Sequence, residues 1–227
     1  MKYGKQFWTK ELGLKWTLHL KDMLNTPYAE KLMGFINIEY AMANVKPSRE
    51  NLFKSFRLCP WENVKVVIVG NEPHFVQDSN GLAYGAQFTS RFHTGELTNV
   101  ATCIEKDYYN GLNLDFDFSL ESWAKQGVLL LNTSLSVRVP LKGSHKKPWG
   151  KFNSAVLNAI NDYKPGTIFI LWGKEARSLV PHIKDTNYTL VYDCPGEYYD
   201  KYRDWNCPNF KEADKILIDL YGESIKW

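Results

Sequence analysis

Four short, almost unbroken apolar segments stand out in the hydrophobic pattern of the chain. They span Val64–Val69, Val128–Leu131, Thr167–Trp172 and Thr189–Tyr192. Each segment is too short for a typical helix and is rich in Val, Ile and Leu, which is typical of strands buried on both faces of a sheet. The pattern therefore predicts four buried strands.

Segments with helical spacing separate these strands. Phe152, Val156 and Ile160 recur every four residues, and Asn209 to Glu212 form a capping-box pattern that predicts the start of a last helix. The first 60 residues add helices, and no internal repeat or Pro/Gly-rich linker divides the chain. We expect one α/β domain over residues 1–227, with three layers: helices flanking a central, mainly parallel four-stranded sheet.

Each predicted strand runs directly into a polar or turn-rich stretch. These stretches are Gly70–His74, Asn132–Ser136, Gly173–Glu175 and Asp193–Glu197. In open parallel sheets ligands bind beyond the carboxyl ends of the strands. The four stretches should therefore converge on one rim, which is the candidate functional site.

Composition and charge exclude several classes of protein. The 227 residues are 44% hydrophobic, which is enough for a substantial core and excludes a disordered or fibrous chain. The formal charge is only +3, too small to hold nucleic acid by overall charge. Any nucleic-acid site must be a local basic patch.

The cysteines and the apolar runs indicate the compartment. Cys59, Cys103, Cys194 and Cys207 show no C-x-x-C spacing, and the N-terminus lacks an apolar run of signal-peptide length. No apolar run approaches the roughly 20 residues needed to cross a bilayer. We expect a soluble, cytoplasmic protein that does not bind membranes.

Six segments occur in an order and spacing typical of one enzyme family. They are VKVVIVGNEPHF, NGLAYGAQF, LESWAKQGVLLLNTSLSVR, GSHKKPWGKF, TIFILWGKEA and WNCPNF. With these segments the chain resembles the family-1 uracil-DNA glycosylases over most of its length. The resemblance implies a uracil-DNA glycosylase-like fold and base flipping, in which uracil rotates out of DNA into a pocket at the rim. There water displaces the base from deoxyribose, with no metal or cofactor.

The resemblance also implies a set of substrate-binding residues. Asn132 matches the Asn whose amide reads the uracil edge, and Tyr84 matches the aromatic residue that stacks on the flipped base. Asn71 and His74, in the first loop, belong to the same set. Taken alone, Asn132 also fits a strand-end cap, and Tyr84 also fits an ordinary core aromatic.

Two departures from the family pattern concern catalysis. Glu72 replaces the Asp that activates or orients water, and its carboxylate is one methylene further from the backbone. Cys194 replaces the His that stabilises charge on the departing base, and a thiol is a poor hydrogen-bond donor. Losing one such donor typically costs about 10²–10³ in rate. We expect weak activity on plain uracil, with Glu72 and Cys194 in the catalytic positions.

A third departure concerns specificity. His74 replaces the Tyr that fills the space beside carbon 5 of uracil and so excludes thymine. Imidazole is smaller and can donate a hydrogen bond, so the pocket can admit a 5-substituted uracil such as 5-hydroxymethyluracil. The alternative is a neutral histidine in a pocket that has lost its activity.

Several residues outside the pocket match family positions that contact DNA. They are Ser144, His145, Lys146, Lys147, Lys174, Arg177 and Tyr198. Tyr198 matches the Leu that wedges into the base stack after flipping, and Tyr can also wedge or stack. Basic clusters of this kind are also common as ordinary solvated surface.

Two functional hypotheses follow. The first is a monofunctional DNA glycosylase, a hydrolase of the N-glycosidic bond in base excision repair, for uracil or a 5-substituted uracil. The second is a catalytically inactive homologue that binds duplex or single-stranded DNA or a protein of DNA metabolism. In both cases we expect a monomer without metal or cofactor.

Overall fold

The computed structural model describes residues 3–75, 78–87, 95–110, 116–195, 205 and 208–227. Short 3-10 helices cover Arg49–Asn51, Trp61–Asn63 and Val180–His182. In chain order the other elements in these ranges are α1 (Lys5–Leu12), α2 (Leu14–His19), α3 (Lys21–Leu24), α4 (Pro27–Met42), β1 (Val45–Lys46), α5 (Lys54–Leu58), β2 (Val66–Gly70), α6 (Gly95–Tyr109), α7 (Glu121–Lys125), β3 (Val128–Asn132), β4 (Val137–Arg138), α8 (Lys146–Tyr163), β5 (Ile168–Trp172), α9 (Gly173–Arg177), β6 (Tyr188–Tyr192) and α10 (Asn209–Tyr221).

The central sheet has four strands in the order β3-β2-β5-β6, and all neighbouring strands are parallel. This confirms the α/β prediction with a parallel four-stranded sheet. Every residue of β2, β3 and β5 is buried, whereas Tyr188 and Val191 of the edge strand β6 are exposed. The continuous apolar runs thus arise because helices cover both faces of these strands.

Alternate strand residues enter two separate hydrophobic clusters, one on each face of the sheet. Val67 and Val69 of β2 pack with side chains from α1, α2, α4, α5 and α8. Val66 and Ile68 pack with side chains from α6, α7 and α10. The protein therefore has the predicted three layers, and the early helices add to one of the two cores.

The two predicted helices are present, but one predicted cap is not. Phe152, Val156 and Ile160 are all buried in α8. Helix α10 begins at Asn209 without a side-chain cap, so the predicted capping box is wrong. The Asn209 Oδ1 atom instead accepts a hydrogen bond from Trp172 Nε1 at 2.8 Å. Asn209 therefore bonds Trp172, which is distant in the sequence, and does not cap its own helix.

A small antiparallel ladder lies beside the main sheet. Val45 and Lys46 of β1 pair with Arg138 and Val137 of β4. Strands of two residues leave no periodic signal, so the hydrophobic pattern did not predict them. The ladder connects the end of α4 to the chain that follows β3. Among the described residues, no helix is both long and apolar enough to span a bilayer.

Candidate active site

A pocket of about 500 Å³ lies at the carboxyl ends of the four parallel strands. Its walls come from the chain that follows each strand, as expected for an open parallel sheet. The structure brings the predicted catalytic and substrate-binding residues together on this pocket: Asn71, Glu72, His74, Tyr84, Asn132 and Cys194.

Asn132 lies where β3 ends, directly beside Gly70 of β2 in the strand register. A Cβ atom on Gly70 would lie only 2.4 Å from Asn132 Oδ1, so glycine is needed for this close approach. The Asn132 side chain is 5% exposed, and its amide makes no hydrogen bond to the described residues. The amide does not cap the strand and is available to a ligand in the pocket.

Tyr84 forms a second part of the pocket wall. Its backbone φ is +65°, a left-handed conformation that is uncommon for residues other than glycine. The ring packs edge-on against Trp172, with ring centroids 5.0 Å apart. Burial raises the pKa of the Tyr84 phenol well above its usual value, so the hydroxyl stays protonated at neutral pH. The Tyr84 side chain is therefore an uncharged aromatic ring on the pocket wall, and the Trp172 ring packs against it.

Glu72 is tied to a loop on the far side of the pocket entrance. Its Oε2 atom accepts a hydrogen bond of 2.8 Å from the backbone N–H of Gly143. Gly143 has a φ of +72°, which favours glycine. Lys142, the preceding residue, also lines the pocket. The longer Glu side chain is thus held across the entrance by a backbone amide.

The rest of the first loop is anchored through its backbone. The Asn71 carbonyl accepts hydrogen bonds from Ser134 N–H and from the Thr133 hydroxyl, both at 2.9 Å. These bonds tie the loop after β2 to the loop after β3. His74 is exposed and lines the same pocket.

Cys194 lies on the opposite side of the pocket, after the edge strand β6. Its neighbours are held by side chains from elsewhere: Trp205 Nε1 donates to Asp193 O at 3.2 Å, and Asn99 Nδ2 donates to Pro195 O at 2.7 Å. A Cβ on Gly173 would lie 2.7 Å from Cys194 Cβ. The thiol therefore occupies a defined position on the wall.

The predicted DNA-contacting cations are exposed, but two of them have acidic partners. Lys146 lies 3.5 Å from Glu175, and Arg177 lies 2.7 Å from Asp193. Lys147 and Lys174 make no ion pair with the described residues. Ser144 is half-buried and accepts the Arg138 backbone N–H through its Oγ at 2.9 Å.

His145 does not fit the expectation of a phosphate contact. Its side chain is 1% exposed and lies between the Glu39 carboxylate, 3.1 Å from Nε2, and the Ser136 hydroxyl, 2.8 Å from Nδ1. A ring enclosed in this way does not reach DNA. Tyr198, the predicted wedge, and Cys207 lie outside the described residues.

Several further side chains line the pocket that the motifs did not single out. They are Phe75, Ser79, Glu96, Lys142 and Glu175. Phe75 and Glu175 lie inside segments that the sequence analysis marked, and Lys142 directly precedes one, which is the one signal that points to them. The Ser79 hydroxyl is buried and has no hydrogen-bond partner in the part of the chain that the structure describes. No cluster of acidic, His and Cys side chains suited to a metal ion occurs within the described ranges.

Comparisons with solved structures place this architecture among known folds. The chain is similar to the crystal structure of mimivirus uracil-DNA glycosylase, with a TM-score of 0.81 and 19% identity. That similarity covers 93% of this chain and 85% of the viral one. A second similar structure is the wild-type UNG crystal structure from Nitratifractor salsuginis, with a TM-score of 0.56 and 18% identity, which covers 91% of this chain and 90% of that chain. At these identities the likeness concerns the fold.

Sequence comparisons carry the relationship further. Uracil-DNA glycosylase 1 of Bacteroides fragilis is 33% identical over 219 residues, covering 93% of this chain and 96% of that protein. Uracil-DNA glycosylase of Amoebophilus asiaticus is 31% identical, with the same coverage of 93% and 96%. The family model of the uracil DNA glycosylase superfamily matches residues 56–218, which contain the whole parallel sheet and the pocket. The chain belongs to the uracil DNA glycosylase superfamily.

Proposed function

We propose that the protein is a DNA glycosylase that takes a flipped uracil-type base into the strand-end pocket and hydrolyses its N-glycosidic bond. The observation that carries this proposal is the Asn132 amide, which has no hydrogen-bond partner among the described residues and lines the same pocket as Tyr84. A primary amide offers a donor and an acceptor together, which matches the N3–H and O4 edge of uracil. The Tyr84 ring supplies an apolar surface for the face of the base.

The hydrolytic step uses water as the nucleophile. The water oxygen bonds to C1′ of the deoxyribose while the bond from C1′ to N1 of the base breaks. The base leaves with the electron pair as an anion, and Glu72 accepts the proton of the attacking water. Because the Gly143 amide holds one carboxylate oxygen, the other oxygen of Glu72 is the one that faces the water.

Activity on plain uracil is weak in this proposal, because Cys194 stands on the wall where charge develops on the departing base. A thiol donates a hydrogen bond poorly, so the anionic base is less stabilised than it would be by an imidazole or a backbone amide. The expected deficit is about 10²–10³ in rate from this one contact.

A 5-substituted uracil is the proposed alternative substrate. His74 is exposed on the pocket wall, and imidazole leaves more space than a phenol beside carbon 5 of the base. A hydroxymethyl substituent there can accept a hydrogen bond from the N–H of the His74 imidazole or donate one to its unprotonated ring nitrogen. One small substituent of this kind typically changes the ratio of the rates on two substrates by about 10–200-fold.

The test is a single-turnover assay on oligonucleotides that carry uracil, thymine or 5-hydroxymethyluracil. Abasic sites are scored by alkaline strand cleavage, and DNA binding is measured separately. We expect abasic sites with uracil and with 5-hydroxymethyluracil, and a loss of at least 10²-fold in Asn132→Asp, which replaces the amide donor with an acceptor. Asn37→Asp, at an exposed Asn of α4 that bonds the Tyr3 hydroxyl, is the control.

A second candidate function is a binding protein without turnover. Cys194 favours it, since the pocket then keeps its base-reading side while the leaving base lacks a strong donor. In that case the wild-type protein binds oligonucleotides with uracil or 5-hydroxymethyluracil more tightly than those with thymine, yet no abasic sites form with any of them. The same assay therefore separates the two functions.

A further inference from the structure

The loop that holds Glu72 runs from residue 139 to residue 145 and forms one edge of the pocket. It carries Lys142 onto the pocket wall and presents the Gly143 N–H to Glu72 Oε2 at 2.8 Å. Any movement of this loop therefore moves the hydrogen bond that orients the Glu72 carboxylate. The contacts that hold the loop in place therefore also affect the orientation of Glu72.

Both ends of the loop are fixed to the same buried carboxylate, that of Glu39 in α4. Arg138, just before the loop, donates from Nε to Glu39 Oε2 at 2.7 Å and from its Nη2 atom to Oε1. His145, at the end of the loop, lies 3.1 Å from the same Oε2 through Nε2. Glu39 is 5% exposed and lies 99 positions before Arg138 in the chain.

The side of the His145 ring that faces away from Glu39 is also hydrogen-bonded. Trp149 Nε1 donates to the Ser136 hydroxyl at 2.8 Å, and that hydroxyl lies 2.8 Å from His145 Nδ1. The Ser136 proton then goes to Nδ1, and the Nε2 proton of a neutral His145 goes to Glu39. These hydrogen bonds, together with those from Arg138 to Glu39, define one position for the loop ends.

We propose that Glu39 is a positioning residue for the reaction: through Arg138 and His145 it fixes the loop 139–145, so that the Gly143 amide orients the carboxylate of Glu72. The inference rests on the proposed function for its consequence in catalysis. The effect of Glu39 on the position of the Gly143 amide can be measured without turnover.

The first test is a double-mutant cycle of Glu39→Gln and Glu72→Gln, read as single-turnover excision. We expect Glu39→Gln alone to lower the rate about tenfold or more, since a misplacement on the order of 1 Å can cost about 10²-fold. In the Glu72→Gln background the same change has no further effect, because Glu39 acts through Glu72. An equal loss in both backgrounds would mean that Glu39 only stabilises the fold, and would overturn the proposal.

The matched control is Glu121→Gln, which removes another partly buried ion pair. Glu121, the first residue of α7, bonds Lys54 at 2.6 Å and makes no hydrogen bond to the described residues of the loop. We expect it to leave the excision rate and its dependence on Glu72 unchanged. Where Glu39→Gln does not fold, Arg138→Lys takes its place, because it keeps the charge and loses the two-pronged geometry at a side chain that is 41% exposed.

The second test needs no excision and reads the Gly143 amide by NMR on ¹⁵N-labelled protein. In wild type its chemical shift should change when acid protonates the Glu72 carboxyl, and Glu72→Gln should abolish that change. The other described titratable groups on the pocket are His74, Tyr84, Glu96, Lys142, Lys174, Glu175 and Cys194, and the Glu72→Gln difference removes their contribution.

The outcomes distinguish the two proposals. In Glu39→Gln we expect the Gly143 titration to lose at least half of its amplitude, while Glu121→Gln retains it. An unchanged titration in Glu39→Gln overturns the positioning role. A wild-type protein that shows the Gly143 titration but excises no base contradicts the proposed glycosylase activity and leaves the path from Glu39 to Gly143 supported.

Discussion

The two sides of the pocket are built differently. The β2–β3 side consists of Gly70, Tyr84 and Asn132 with the loop after β2, and its groups are buried or tied by backbone hydrogen bonds. The β5–β6 side consists of Gly173, Lys174 and Cys194, and the ion pairs around it are exposed. One of these, Arg177 with Asp193, is about half exposed on both partners, so water screens it.

The difference follows the packing of the individual side chains. A change at Asn132 would disturb a close approach to Gly70 in the sheet, whereas a change at Cys194 concerns a half-exposed side chain after an edge strand. The three departures from the family pattern, Glu72, His74 and Cys194, are all partly or fully exposed, whereas Asn132 is buried. The departures therefore fall at positions where the side chain is loosely packed.

Gly70→Ala should disturb the β2–β3 side of the pocket more than any other substitution considered. The added Cβ would lie 2.4 Å from Asn132 Oδ1 and 3.0 Å from Ala83 Cβ, so the amide must move. We expect single-turnover excision to fall by about 10³-fold or more, since a displaced amide leaves the base edge unpaired. Gly150→Ala, at an exposed glycine of α8 with open space around it, is the control. Unchanged excision in Gly70→Ala would remove Asn132 from base recognition.

The β5–β6 side can be strengthened by Cys194→His. An imidazole on this part of the wall restores a good donor to the departing base, and we expect uracil excision to rise by about 10²–10³-fold. Single-turnover rates at saturating enzyme measure the effect on the chemical step. Cys194→Ala tests whether the gain comes from the donor, because it should bring none. A rate that stays at the wild-type value in Cys194→His would contradict this account of the weak step.

His74→Tyr tests the part of the pocket wall proposed to lie beside carbon 5 of the base. The larger phenol refills the space beside carbon 5, so we expect the preference for 5-hydroxymethyluracil over uracil to fall by about tenfold or more. The ratio of the two single-turnover rates measures this within one protein. His182→Tyr, on the 3-10 helix far along the chain, should leave the ratio unchanged. An unaltered ratio in His74→Tyr would mean that His74 does not face carbon 5.

The smallest effect concerns the exposed cations. Lys147 and Lys174 make no ion pair with described residues, whereas Lys146 and Arg177 each face a carboxylate. Replacing the first two by Ala should lower DNA affinity and reduce the salt slope by roughly 2, about 0.9 for each phosphate contact. Replacing the second pair should change the slope less. Equal slopes for both double variants would show that the intramolecular ion pairs do not matter for DNA binding.

The hydrophobic pattern by itself determined the sheet and its two covered faces. Continuous Val, Ile and Leu runs occur because β2, β3 and β5 are buried on both sides, and such runs need no information about distant partners. Parallel strands end at one edge, so the convergence of Glu72, Asn132 and Cys194 on one pocket also followed from the chain order.

Only the tertiary structure decided which polar groups pair with one another. The capping-box pattern marked Asn209 as a helix cap, and the family resemblance marked His145 as a DNA contact, yet Trp172 donates to the first and Glu39 lies against the second. The bond from Gly143 to Glu72 joins residues 71 positions apart. Side-chain hydrogen bonds across such separations depend on how helices and loops pack over the sheet, and no periodicity along the chain encodes that packing.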